Sequence, residues 1–140
     1  MKTLLTTFAL ILTIFSASAQ EQSSTAVSQK NNYVVLTKKV PQLKPITLTA
    51  EALQSQDKEN YGEFQVIICG QTVKDLTDKD DMKPFLEAAQ KANVKIVVCG
   101  FSMKKFGVKA EDLPKELEVV PNGILYDFEL QKKGYLSIEL

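Results

Sequence analysis

Apolar and polar positions divide the chain into blocks of different period. Met1-Lys2 leads into a largely apolar run from Leu4 to Phe15, followed by Ser16-Ala17-Ser18-Ala19. A positive start, a short apolar stretch and a small-residue Ala-x-Ala end mark a secretory signal. A spanning helix needs about 20 apolar residues, so the run is too short for an anchor. Residues 1–19 therefore read as a signal peptide cleaved after Ala19, leaving an exported chain, periplasmic or secreted, with no membrane anchor. Gln20 to Asn32 is polar and aperiodic, a flexible lead-in that buries too little surface to order itself.

The β-branched run Tyr33 to Thr37 predicts a first strand. Pro41 and Pro45 then interrupt the chain, and Thr49 to Lys58 predicts a helix capped by Thr49 with Ala52 and Leu53 inward. Phe64 to Cys69 (FQVIIC) predicts a strand stopped by Gly70. Asp78 to Asn93 predicts a helix, with acids at its start, Pro84 in its first turn and Asn93 placed for a left-handed cap. Its apolar positions are Phe85, Leu86, Ala88, Ala89 and Ala92. Val94 to Cys99 (VKIVVC) is the next strand, closed by Gly100, and Ser102 to Phe106 a short helix closed by Gly107. Leu117 to Val120 reads as a strand, and Asn122 caps a helix to Lys133 with Ile124, Leu125, Phe128 and Leu130 on its apolar side. Gly134 ends that helix, and Tyr135 to Leu140 is the last strand. Nearly continuous apolar strands suit a parallel sheet buried on both faces, and strand–helix–strand units cross over right-handed. The pattern predicts one α/β domain over residues 33–140, with a mainly parallel sheet of about five strands between helix layers.

Composition narrows the chemistry. The 140 residues are 44% hydrophobic and 24% charged, a globular balance. There is no His, which removes His-based triads, imidazole acid–base chemistry and mixed Cys/His zinc sites. All 17 basic residues are Lys, so no planar fork grips phosphate or guanine, and a net charge of zero offers no footprint for nucleic acid. After residues 1–19 are removed, 16 Lys face 17 acids, a net charge of −1. The two Cys cannot form a four-Cys zinc site, and nothing near them completes a site shared between subunits. No metal or cofactor is expected.

The cysteines carry the chemical signal. Two strands end alike, in Val66-Ile67-Ile68-Cys69-Gly70 and Ile96-Val97-Val98-Cys99-Gly100. Open α/β sheets bind ligands at the carboxyl ends of their strands, which places both sulfurs at that edge. Neighbouring strands lie about 4.8 Å apart, near the range in which a disulfide closes. Cys99 is the stronger candidate nucleophile: Gly100 permits close backbone approach, a helix from Ser102 aims N–H groups at the sulfur, and Lys104 and Lys105 add positive charge. Against this stands the commoner fate of Cys, burial as a small apolar residue. Cys69 reads as a core thiol, a redox partner that closes a disulfide with Cys99, or a second sulfur carrier. Gly70, Gly100, Phe101, Ser102 and Gly123 are candidate pocket residues around them, Gly123 by bringing a helix N-terminus to the same edge. Phe101, Met103 and Phe106 form an apolar cluster beside Cys99, and Tyr126 and Asp127 read as surface or interface positions. Asp78, Asp80 and Asp81 have an ordinary helix-start explanation.

From Phe64 to Leu140 the chain resembles the DsrE/DsrF-like (YchN-like) family. The resemblance rests on Gly70-Gln71-Thr72-Val73, Val97-Val98-Cys99-Gly100-Phe101-Ser102-Met103 and Gly107-Val108. Asp112-Leu113-Pro114, Val119-Val120-Pro121-Asn122-Gly123-Ile124 and Leu130-Gln131-Lys132-Lys133-Gly134-Tyr135 follow in order. It implies a three-layer α/β/α sandwich and a homo-oligomer, trimer or hexamer. In sulfur-relay members a Cys after a central strand carries sulfur as a persulfide between donor and acceptor proteins, and Cys99 matches that position. Cys69 matches a place where other members often carry His, so no catalytic role carries over to it. The expectations are therefore persulfide handling through Cys99 or, alternatively, a non-catalytic oligomeric binding module with structural Cys69 and Cys99. A thioredoxin-like mechanism is disfavoured, since no Cys-x-x-Cys exists.

Overall fold

Parallel strands need crossovers, and the direction of each crossover decides which face its helix covers. The computed structural model describes residues 30–140; the expected signal peptide and the lead-in through residue 29 lie outside the described residues. Strands β1 (Asn31–Thr37), β2 (Tyr61–Ile68), β3 (Val94–Cys99), β4 (Glu118–Val120) and β5 (Leu136–Glu139) form one sheet, ordered β4-β3-β2-β1-β5, with every neighbouring pair parallel. The helices are α1 (Leu43–Asp57), α2 (Lys79–Lys91), α3 (Gly100–Phe106) and α4 (Gly123–Lys132). Steps from β1 through β4 run in one direction across the sheet, so right-handed crossovers put α1, α2 and α3 on one face. The step from β4 to β5 returns to the far edge and puts α4, alone among the described helices, on the other. This is the expected three-layer α/β/α fold.

Side chains sort accordingly. Val35, Val66, Ile68, Ile96 and Val98 pack under α1 and α2 with Leu43, Ile46, Ala50, Met82 and Ala89. Val34, Leu36, Ile67, Val97, Cys69 and Cys99 face α4 with Val120 and Leu130. The strands are apolar on both faces because both faces are covered.

Several boundaries differ from expectation. Asn31 and Asn32 belong to β1 rather than to the lead-in, and β2 begins at Tyr61. Helix α1 starts at Leu43, not Thr49: Pro45 falls in the first turn, where a missing N–H costs nothing. Its buried residues are Leu43, Ile46, Thr47 and Ala50, and Leu53 packs against the core as expected, while Ala52 is exposed and Thr49 donates to the Pro45 carbonyl. Helix α2 agrees in its ends, with Asp78 accepting from the Asp80 and Asp81 N–H groups and Asn93 at φ 50°. Pro84, however, is its sixth residue and lies inside the helix rather than in the first turn, because the helix begins at Lys79. On α4 the expected apolar side is split. Gly123 and Leu130 are buried, Tyr126 is half-buried, and Ile124, Leu125 and Phe128 point outward, 53–58% exposed. Gln71–Thr77 forms a 3-10 segment that no sequence pattern anticipates.

Leu43 is completely buried beneath α1, whereas Leu48 on the same helix is 57% exposed. Leu43→Ala is expected to lower unfolding free energy by about 2–5 kcal/mol and Leu48→Ala by less than about 0.5, as read from denaturant titration.

Candidate functional site

The strand register sets the site. The last pair between β2 and β3 is Ile68 with Val98, so Cys69 and Cys99 follow side by side at the carboxyl ends of neighbouring strands. Both are reduced thiols facing α4, 5% and 3% exposed. Beside them the chain leaves β3 towards one face through α3 and leaves β4 towards the other through α4. Such a divergence at the carboxyl edge is where open α/β sheets form their functional crevice.

Two glycines permit the close approach. A Cβ on Gly100 would lie 2.9 Å from the Val120 carbonyl oxygen, and the neighbouring Phe101 N–H donates to the Pro121 carbonyl at 3.1 Å. A Cβ on Gly123 would lie 2.8 Å from Cys69 Sγ and 2.9 Å from Cys99 Cβ. The Asn122 side chain caps α4 by accepting from the Ile124 and Leu125 N–H groups at 3.0 and 3.2 Å. The Gly123 N–H is thereby left for Cys99, donating to its Sγ at 3.2 Å. From α3, Ser102 lies beside the same sulfur and favours its charged form, and its hydroxyl oxygen accepts from the Gly70 N–H at 2.8 Å.

These contacts separate two residues with nearly identical strand contexts. Burial pushes the Cys99 thiol up, but donation from the Ser102 hydroxyl, the Gly123 and Ser102 N–H groups and Cys69 outweighs it, leaving Cys99 below the ordinary thiol value. Burial first, then the neighbouring Cys99 charge and the hydrogen bond given to it, push Cys69 to about 12, with the Lys38 ammonium pulling weakly the other way. The first proton lost from the pair leaves Cys99, and Cys69 keeps its own.

Among the candidate pocket residues, Gly70, Gly100, Ser102 and Gly123 are gathered around the sulfurs, whereas Phe101 projects outward at 63% exposure. The expected Phe101–Met103–Phe106 cluster does not form as a unit, since Met103 is buried in the core on the α1 side. Lys104 and Lys105 are exposed, and the Lys105 ammonium sits 5.5 Å over the Phe106 ring; the donors that lower Cys99 are neutral. Tyr126 and Asp127 anchor α4, Tyr126 donating to Gln65 Oε1 at 2.9 Å and Asp127 accepting from Ser137 at 2.9 Å. Sequence reasoning missed Lys38, which pairs with Glu139 close to Cys69. That pair joins residues 101 positions apart, so no local pattern marks it. A cleft of about 740 Å³ between α2 and the Leu113–Glu116 segment lies away from both sulfurs.

Because Cys99 sits below the usual thiol value of 9.0, its thiolate persists to lower pH, and native alkylation of Cys99 is expected to rise with a midpoint below 9.0. Ser102→Ala removes one donor and moves that midpoint upward, as peptide mass mapping across a pH series would read. Gly123→Ala forces a methyl against Cys69 Sγ and is expected to cost about 1–3 kcal/mol in denaturant unfolding.

Comparison with solved structures identifies the same fold in distant chains. A protein of unknown function from Methanobacterium thermoautotrophicum superposes with a TM-score of 0.68 at 14% identity, over 79% of this chain and 100% of its own. A conserved protein of unknown function from Bacteroides thetaiotaomicron gives 0.59 at 18% identity, over 82% and 99%. At these identities the likeness concerns the fold alone. No curated protein matches the chain. A model of the DsrE/DsrF-like family matches residues 16–139, nearly the whole sequence and both cysteine-bearing strands. The chain belongs to the DsrE/DsrF-like family.

Proposed function

We propose that this chain is an exported sulfur-handling protein in which Cys99 carries sulfur as a persulfide, received from a donor protein and passed to an acceptor. The observation that carries the reading is the Gly123 N–H donating to the Cys99 sulfur at 3.2 Å, with Ser102 set beside the same sulfur from the other face. Loading requires a thiolate: Cys99 Sγ attacks the outer sulfur of a donor persulfide, a new S–S bond forms, and the donor leaves as a thiol. The same donors then steady the charge on the loaded group. Half-buried Gly70, Gly100, Ser102 and Asn122 surround the sulfurs, which holds them near the surface yet shielded from bulk thiols. Export rests on the signal-like pattern of residues 1–19. Incubation with a small persulfide is expected to add one sulfur atom to Cys99, and Cys99→Ser, with an unchanged circular dichroism spectrum, to show none; equal loading of the variant refutes the reading.

The homo-oligomer belongs to the same proposal. Ile124, Leu125 and Phe128 form an outward apolar stripe on α4, the one described helix on that face, and second copies of the chain would bury it. Light scattering is expected to give a trimeric or hexameric mass that Phe128→Glu reduces; a monomeric wild type refutes this part.

The competing reading, a binding module with two inert core thiols, is favoured by the deep burial of both sulfurs. Native thiols that alkylate only on denaturation would decide for it.

A further inference from the structure

Cys69 is not needed to hold sulfur on Cys99, yet the fold places a second reduced sulfur against the first. The two follow the Ile68–Val98 pair on adjacent parallel strands, where backbone spacing of about 4.8 Å falls within reach of a disulfide. Both abut the same Gly123, where a Cβ would lie 2.8 Å from Cys69 Sγ and 2.9 Å from Cys99 Cβ, so the two side chains share one space beneath α4. A disulfide between them lacks only an oxidant. A persulfide brings its own, because its outer sulfur can take two electrons.

We infer that Cys69 discharges the Cys99 persulfide within the chain, releasing hydrosulfide and leaving a Cys69–Cys99 disulfide. This rests on the persulfide reading of Cys99. In the step, Cys69 Sγ attacks Cys99 Sγ, the bond between Cys99 Sγ and the outer sulfur breaks, and a Cys69–Cys99 bond forms. The outer sulfur leaves with the bonding pair and takes up the Cys69 proton, departing as HS⁻. Two cysteine sulfurs each give one electron, and the outer sulfur gains both. The high proton affinity of Cys69 suits it to deliver that proton to the leaving sulfur rather than lose it to solvent beforehand. A dithiol reductant then restores both thiols. Cys69 is thus the residue that decides between holding sulfur for an acceptor and releasing it as sulfide.

The test uses reduced wild type, Cys69→Ser and Cys69→Ala, each checked by circular dichroism, with glutathione persulfide as the donor. Intact mass and released sulfide are followed after the donor is removed. Wild type is expected to end two hydrogens lighter than the dithiol while releasing one equivalent of sulfide. Both variants are expected to stay one sulfur heavier on Cys99 and release none. Wild type that retains its persulfide as long as the variants overturns the inference and leaves the persulfide reading standing. Variants that fold but take up no sulfur, or that carry glutathione instead of a single sulfur, overturn both. The two variants guard against a change peculiar to Ser in a buried site.

Discussion

Helix α4 meets the sheet through a backbone rather than a side chain. Where Gly123 lies over the ends of β2 and β3, the space for its Cβ is already taken by Cys69 Sγ, Cys99 Cβ and Ile67 Cγ2, each less than 3.0 Å away. Any other residue there would lift the helix. With it would go the N–H that reaches Cys99, the half-buried Tyr126 bonded to Gln65, and Leu130 in the core. The phase of α4 follows from the same contact. With Gly123, Tyr126 and Leu130 facing the sheet, the apolar residues Ile124, Leu125 and Phe128 are turned outward.

That contact also explains how two similar strand ends acquire different chemistry. Each strand finishes with apolar residues, a Cys and a Gly. After Cys69 the chain turns through Gly70 at φ 80° into a 3-10 segment, and the Gly70 N–H is spent on Ser102. After Cys99 the chain enters α3 directly, setting Ser102 beside the sulfur, while α4 arrives from the opposite side with the Gly123 N–H. Two helix starts on opposite faces thus address one sulfur, with hydrogen bonds to the charged form offsetting burial. Cys69 has burial without those donors and gives its own hydrogen bond away.

The layers are unequal for the same topological reason. Three helices cover one face because three successive crossovers run in one direction; the single return crossover leaves the other face to α4. The two sulfurs lie under this thinner layer. Their cover is therefore a ten-residue helix that carries Ile124, Leu125 and Phe128 on its outer surface.

Much of this was legible along the chain. The strands around Val66 and Val97 show themselves as apolar runs, α2 by its capping Asp78 and closing Asn93, and α4 by Asn122 and Gly134, because caps and strand burial act over a few residues. The choice of Cys99 as the distinctive thiol also came from local signals, Gly100 and a following helix. Other features were not legible. The start of α1 at Leu43 was hidden because Pro45 resembles a breaker until its place in the first turn is known. The outward turn of Ile124, Leu125 and Phe128 was hidden because a helix's own pattern does not say which stripe a neighbouring backbone will claim. What the sequence by itself determined is the order of elements and the two sulfurs at strand ends, since those depend on short-range propensity and period. Only the tertiary structure decided that β2 and β3 are neighbours, that Gly123 and Ser102 converge on Cys99, and that Lys38 meets Glu139 beside Cys69. Those contacts join residues far apart in the chain, and only the packing of helices on the twisted sheet brings them within bonding distance.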